Sequence, residues 1–368
     1  MKCALIFSHQ AQHDDVRDFN LPPIDAIEFN PNATSVAISY HNSDLQIFKL
    51  PFSKVGCPSQ QLNTCITIEN KEEVLRSTMS WSSSGKLIAM GNNVYDVSMS
   101  SKVGASCPPK SLSFEKSNTN PKFFYRDKFI LTTNKSTLHL NEVFFPKINK
   151  RMKENTRWDA SCMAKTKIAH SWSHEQAKHI TSYDALNLSL SHLICTATSD
   201  KKLRIHDACT GGTVWSVPFA AGKRAAHSVS FPRINSHNIQ VLEDIIPSAS
   251  IDLVAAASTD GGGLLSLWDI RSASSAGIFR GHVNKRETCR TTFSPCLRYI
   301  AIGSEDYGSG AVIYDLRKTG KGEGIVAKLP NMNANRGAIV EVKYNPLYPQ
   351  LITGSLGGKL KFYDSNSV

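Results

Sequence analysis

The stretch GHVNKRETCRTTFSPCLRYIAIGSEDYGSGAVIYD, residues 281–315, decides the fold of this 368-residue chain. It contains three short runs of apolar and β-branched residues: TTF before a Ser-Pro pair, RYIAIG before Ser-Glu-Asp, and AVIYD. Turn residues separate the runs, a pattern typical of consecutive antiparallel β-strands. The stretch therefore predicts a β-meander, whose strands we name a, b and c in chain order.

The same unit recurs along the chain with a period of roughly 40 residues, which is typical of repeat architectures. A second copy follows in register at 338–364, and upstream b–c pairs end at Asp269 and Asp207. A complete unit occupies 24–50, and two weaker ones lie within 74–170. Seven such repeats predict an all-β fold, a seven-bladed β-propeller. Its predicted blades are 24–70, 74–117, 120–170, 179–220, 224–280, 286–329 and 337–364.

The two ends of the chain predict how the ring closes. The last repeat ends at Asp364, after its c strand, so its blade lacks a fourth, outer strand d. The chain begins with an isolated β-rich run from Cys3 to Phe7. We expect residues 2–8 to complete the last blade, because this pairing removes two sheet edges that would otherwise be exposed.

Several residues resemble the signature of the WD-repeat family: Trp268-Asp269, Gly281-His282, Ser304, Asp306 and Tyr314-Asp315. Most of the range 120–364 is similar to the C-terminal propeller of the WD repeat-containing protein 27 family, through TFSPCLRYIAIGSEDYGSGAVIYD (292–315) and FYRDKFILTTNKSTLHL (124–140). The resemblance implies a scaffold without catalytic residues. It leaves open whether a second propeller lies upstream.

The resemblance also implies a hydrogen-bonded group in each blade, made of a His before strand a, a Ser or Thr in b, an Asp in the b–c turn and an aromatic residue in c. The fullest match is His282, Ser304, Asp306 and Tyr314. A buried Asp needs such partners, because an unpaired buried charge is very costly. The preceding blades offer matches to parts of this group, with His206 at one aromatic position; the matches are Asp260, Trp268 and Asp200.

Composition and cysteine usage indicate a soluble, intracellular protein. Charged residues make up 20% and hydrophobic residues 41% of the chain, as in a globular protein. The nine cysteines are scattered and include no C-x-x-C pair, which favours a reducing compartment. No apolar run approaches the ~18 residues of a membrane-spanning helix. We expect a cytoplasmic location, with the nucleus and the cilium left open.

The sequence offers no catalytic residue, metal site or cofactor motif. The near misses, such as two histidines at 174 and 179, have the wrong spacing for a zinc-binding helix. An enzyme built on a propeller would need acids, histidines or metal ligands that point into the central opening, and the sequence reveals no such cluster. We therefore expect a protein that is not an enzyme and binds no metal or cofactor.

Basic residues concentrate in the loops that connect strand d to strand a and strand b to strand c. Propellers use these loops to bind partners, since loops vary without disturbing the sheets. The excess of positive charge predicts a surface for acidic segments of other proteins, although solubilising lysines would give the same pattern. The candidate residues are Lys201, Lys202, Lys223, Arg224, Lys285, Arg286 and Arg336.

A second basic region supports the alternative of nucleic-acid or chromatin binding. Residues 121–180 hold 12 Lys and Arg against 5 Asp and Glu, a surplus of 7 within a formal net charge of +11. Segment 147–159 lacks a strand pattern and reads as an insertion that carries Lys150, Arg151 and Lys153. Within the wider rim 147–178, aromatic residues for base stacking are sparse, which disfavours nucleic acid. A further insertion is expected at 232–252, and the oligomeric state stays open.

Overall fold

The computed structural model describes fourteen segments of the chain. They are residues 4–10, 22–42, 44–50, 64–68, 78–98, 110–115, 119–144, 164–187, 192–219, 224–233, 252–306, 310–318, 324–330 and 337–364. These segments contain seven four-stranded antiparallel sheets and almost no helix. The predicted seven-bladed β-propeller is therefore confirmed.

Blades one to three each use four consecutive strands, with strand a innermost. Blade one is β2 (Ile24–Phe29), β3 (Ser35–Tyr40), β4 (Leu45–Lys49) and β5 (Thr64–Ile68). Blade two is β6 (Met79–Trp81), β7 (Leu87–Met90), β8 (Asn93–Asp96) and β9 (Lys110–Ser113). Blade three is β10 (Thr119–Phe124), β11 (Phe129–Asn134), β12 (Thr137–Phe144) and β13 (Lys165–Ser173).

Blades four to six repeat this order. Blade four is β14 (Ile180–Ala185), β15 (Leu193–Thr198), β16 (Lys202–Asp207) and β17 (Thr213–Pro218). Blade five is β18 (Ser228–Ser230), β19 (Leu253–Ser258), β20 (Leu264–Asp269) and β21 (Ser274–Phe279), with a 3₁₀ turn at Asp260–Gly262. Blade six is β22 (Thr291–Phe293), β23 (Tyr299–Gly303), β24 (Ala311–Asp315) and β25 (Ile325–Leu329).

Blade seven joins the two ends of the chain. Its first three strands are β26 (Ile339–Tyr344), β27 (Gln350–Ser355) and β28 (Lys359–Asp364). Its outer strand is β1 (Ala4–Gln10), which pairs antiparallel with β28 from Ala4 opposite Asp364 to Gln10 opposite Lys359. The predicted closure is confirmed, with the closing strand two residues further along the chain than expected.

The core of the propeller lies between blades. Each of seven apolar clusters combines residues of two neighbouring blades, and together the clusters complete the ring. The middle strands are buried on both faces, which explains their continuous apolar runs, such as LVAAAS in β19. At one interface the backbone of Gly303 approaches Ile339 so closely that an added Cβ would lie 2.0 Å from the Ile339 oxygen.

The seven a strands surround the central axis. Most neighbouring a strands contact one another directly, including β2 with β26 and β14 with β18. Because every blade is a meander, the d–a and b–c connections emerge at one end of the axis, and the a–b and c–d turns emerge at the other. We call these ends the d–a face and the a–b face.

Candidate functional site

The described basic residues of the d–a face are concentrated around blades four to six. Lys201, Arg224, Lys285 and Arg286 are exposed, whereas Lys202 is half-buried and donates to Gln176 Oε1 at 3.1 Å. Two other predicted residues of this face, Lys223 and Arg336, lie outside the described residues, as do Lys150, Arg151, Lys153 and the whole segment 147–159. Most of the insertion 232–252 also lies outside them.

Arg224 ties blade five to blade six on this face. Its Nη1 donates to Thr259 Oγ1 at 3.1 Å and to the Lys285 carbonyl oxygen at 3.3 Å. The side chain nevertheless remains exposed. The d–a connections of two neighbouring blades therefore present Arg224, Lys285 and Arg286 as one basic patch.

A carboxylate shapes the loop that carries two of these cations. Glu305 Oε1 accepts hydrogen bonds from the backbone N–H groups of Lys285, Arg286 and Glu287 at 2.7, 2.7 and 2.8 Å. Three amide donors hold the negative charge of Glu305 against the loop, and the Lys285 and Arg286 side chains stay exposed. Sequence reasoning missed this role, because an acidic residue in a b–c turn does not reveal which amides it accepts from.

The group around His282 links the d–a connection of blade six to its sheet. His282 Nδ1 lies 2.9 Å from the Tyr314 hydroxyl. Ser304 Oγ accepts from the Val283 N–H at 3.0 Å and from the Asp306 N–H at 3.2 Å. Asp306, expected to be buried, is half-buried.

The equivalent residues in blades four and five use other partners. Asp260 is buried, and its Oδ2 has no hydrogen-bond partner within the described residues. Trp268 Nε1 donates to Ser266 Oγ at 3.0 Å. Asp200 forms an ion pair with Arg204 and accepts from Thr198. The b–c turns of blades four, five and six therefore use different contacts.

Blade four contains a stack of buried histidines. The rings of His174 and His206 stack with centroids 5.3 Å apart, and His206 also contacts the hydroxyls of Thr196 and Thr213, each at 3.0 Å. Burial, with smaller contributions from neighbouring positive groups, lowers the pKa of His206 to about 3 and that of His174 to about 4.

These buried histidines predict a loss of stability in mild acid. Since their pKa values are lower in the folded chain than the usual 6.5, the unfolded chain binds more protons as the pH falls below 6.5. We expect unfolding titrations to show a loss of roughly 2 kcal/mol per histidine between pH 7 and pH 5. His206→Phe should reduce this pH dependence, and His179→Gln, which changes an exposed ring, should leave it intact. An equal pH dependence in all three proteins would contradict the assignment.

The central axis holds a cluster of charged side chains that sequence reasoning missed. We call it the central cluster; it consists of Glu28, Lys122, Asp184, Arg233, Arg290, Glu341 and Lys343. Five of them lie on a strands; Arg290 directly precedes β22, and Arg233 follows β18 by three residues. Two cavities on the axis, of about 160 and 70 Å³, are each lined by residues of all seven blades.

Every carboxylate of the central cluster is paired with a cation. Glu28 forms ion pairs with Arg233 and, at 3.0 Å, with Lys343. Asp184 pairs with Lys122. These ion pairs connect different blades at the axis. The pairs of Glu28 connect blade one to blades five and seven, and the pair of Asp184 connects blade four to blade three.

Glu341 completes the central cluster. Its Oε2 accepts a hydrogen bond from Arg290 Nη1 at 2.8 Å, and Lys343 Nζ lies 3.8 Å from its Oε1. Glu341 is fully buried, and desolvation outweighs these cations and raises its pKa.

The cations act differently on the two other carboxyl groups. Burial alone would raise the pKa of Glu28, but the neighbouring cations, Arg233 foremost, lower it to about 2. The pKa of Asp184 is lowered in the same way, with Lys122 as the main cation. Both carboxylates are therefore ionised near neutral pH.

The central cluster corrects the expectation that no inward-pointing acids exist. The signal was present in the sequence: Glu28, Asp184 and Lys343 occupy the same position of strand a in three blades, just before its last residue. The axis of the propeller buries these positions, and burial favours the pairing of opposite charges.

No protein-family model matches this sequence. The class of protein is therefore defined by the fold: a seven-bladed β-propeller, consistent with a WD-repeat propeller. Among the described residues, no group of three or more His, Cys, Asp and Glu could hold a metal ion. No described helix is long and apolar enough to cross a membrane.

Proposed function

We propose that this propeller is a non-catalytic scaffold that binds acidic segments of other proteins through its d–a face. The observation that carries the proposal is the patch formed by Arg224, Lys285 and Arg286 where blades five and six meet, with Lys201 on blade four. A cluster of exposed cations attracts acidic partners and increases the rate at which they associate.

The state of the nearby acids supports the same proposal. Asp200 is neutralised by Arg204, and Glu305 is held by three backbone amides. Asp260 is buried. These carboxylates are buried or engaged within their own turns, whereas the cations of the patch are exposed.

We include the absence of catalysis in this proposal because of the charge states of the carboxyl groups on the central axis. A general acid or base must be able to exchange a proton with a substrate, and its pKa is tuned for that purpose. Glu28 and Asp184 are instead held ionised by ion pairs, and Glu341, whose pKa is raised, is fully buried between Arg290 and Lys343 and lines neither axial cavity. They stabilise the assembly of blades rather than supply a reactive group.

The test is a matched pair of charge-reversal variants in affinity purification from a native lysate. The first variant changes Lys201, Arg224, Lys285 and Arg286 to Glu. The control changes four exposed cations of the a–b face, Lys86, Arg126, Lys128 and Lys318, to Glu. We expect protein partners to be lost from the first variant and retained by the control, after circular dichroism has shown that both fold.

Two other outcomes would overturn the proposal. Partners that are retained by the first variant would show that the d–a face is not the binding surface. Partners that disappear from the wild type after nuclease treatment would show that nucleic acid bridges them, as the alternative function requires. Binding to nucleic acid would also weaken steeply with salt, because phosphate contacts release counterions.

A further inference from the structure

The larger axial cavity, of about 160 Å³, lies at the a–b face, at the opposite end from the proposed partner surface. It is lined by the ends of the a strands and by residues of the a–b turns. A cavity that holds one water molecule has a volume of about 10–15 Å³. The cavity therefore has room for a molecule of several heavy atoms.

One side of this cavity is apolar. Pro31, Pro295 and Pro346 line it from blades one, six and seven, which are neighbours in the ring. The rings of Phe293 and Tyr344 line the same side. Such a wall favours an apolar group of a ligand over a fully hydrated ion.

Cations reach the cavity beside the apolar wall. Arg233, Lys343 and Lys122 all line it. The Arg233 side chain is 47% exposed although it extends to Glu28 across the axis. Within the described residues its Nη1 bonds to Glu28, and its Nη2 lies 4.0 Å from Asp184, beyond hydrogen-bond distance. The edge of a guanidinium formed by Nε and Nη2 can bind a second carboxylate as a fork, with two parallel hydrogen bonds.

The charges of the central cluster do not balance. Its four cations, Lys122, Arg233, Arg290 and Lys343, face three carboxylates. A surplus of one positive charge in a partly enclosed space suits a single negative charge, because attraction is stronger away from bulk water.

We propose that this cavity binds a small organic monocarboxylate from the a–b face. The carboxylate of the ligand is held by Arg233 and Lys343, and its apolar part packs against the three prolines. This site is independent of the d–a face, so the failure of either proposal leaves the other standing.

The test is isothermal titration calorimetry of the whole chain with benzoate, acetate and inorganic phosphate at constant ionic strength. We expect benzoate to bind at least tenfold more tightly than acetate, because it alone fills the apolar side. Phosphate should bind more weakly than benzoate.

Two variants remove the site in different ways. Arg233→Lys keeps the charge and removes the fork, and Thr292→Leu fills the cavity without changing any charge. Each should weaken benzoate binding at least tenfold. The control Lys128→Ala changes an exposed cation of the same face outside the cavity and should bind as the wild type does.

Three results would overturn the proposal. Wild-type protein that binds no benzoate at millimolar concentration would exclude the site. Equal heats of titration for all three anions in every variant would show a general ionic effect instead of binding at this site. Tight phosphate binding that is lost in both variants would show an oxyanion site of different specificity. Thr292→Leu keeps the test decisive if Arg233→Lys fails to fold.

Discussion

Removal of residues 1–10 is expected to lower the melting temperature by about 10 °C. The deletion takes away β1 and exposes β28, whose six registered residues then lose their antiparallel partners. At roughly 0.5–1.5 kcal/mol for each of about six hydrogen bonds, the loss amounts to about 3–9 kcal/mol. In a chain of this length each kcal/mol shifts the melting temperature by about 1.3 °C, so the shift lies at about 4–12 °C. Differential scanning calorimetry measures the shift.

Two comparisons make the test specific. Trimming residues 366–368, which follow the last strand, should change the melting temperature by less than about 1 °C. A synthetic peptide of residues 1–10 added to the truncated chain should restore part of the lost stability by pairing with β28. If the truncated chain melts with the wild type, β1 does not contribute to closing the ring.

Sequence patterns predicted the parts of the fold that follow from short apolar runs and from turn residues. The b strands, such as LVAAAS and YIAIG, are buried on both faces and therefore read as continuous apolar runs. The ring closure followed from counting strands in the last repeat. The b strands are visible within single repeats, and the ring closure requires only a count of strands. One sequence is therefore enough to find both features.

The central cluster could not be predicted in the same way. Glu28 and Arg233 are 205 residues apart, and their pairing arises only when the ring brings blades one and five to the same axis. The Glu305 contacts with the d–a loop depend likewise on a loop geometry that the sequence pattern does not encode. Sequence periodicity reports which face of a strand is buried, whereas these contacts depend on which strands meet.

Glu28→Ala is expected to destabilise the propeller by about 3 kcal/mol, because it leaves the largely buried Lys343 and the half-exposed Arg233 without the carboxylate that they share. Glu28 is buried, and it is the carboxylate that Arg233 and Lys343 share across three blades. Urea denaturation at pH 7 measures the loss. Glu175→Ala, which removes an exposed acid, should stay within about 0.5 kcal/mol of the wild type.

The pH dependence of folding stability provides a second measurement of the role of Glu28. The folded-state pKa of Glu28 is depressed from 4.5 to about 2, so its contribution is complete above pH 4.5 and is lost as the pH falls towards 2. The wild type should therefore lose more stability than Glu28→Ala over that interval. A parallel acid response of the two proteins would show that Glu28 is not held ionised by its neighbours.

A double-mutant cycle separates the ion pair from simple loss of packing. Arg233→Met combined with Glu28→Ala removes both charges of one pair, so the double variant should be more stable than the sum of the single losses predicts. We expect a coupling energy of about 1–3 kcal/mol, since Glu28 without Arg233 keeps only Lys343, and Arg233 without Glu28 keeps only Asp184, 4.0 Å away. Additive losses would mean that the two side chains stabilise the ring independently, and that the charges on the axis do not hold blades one and five together.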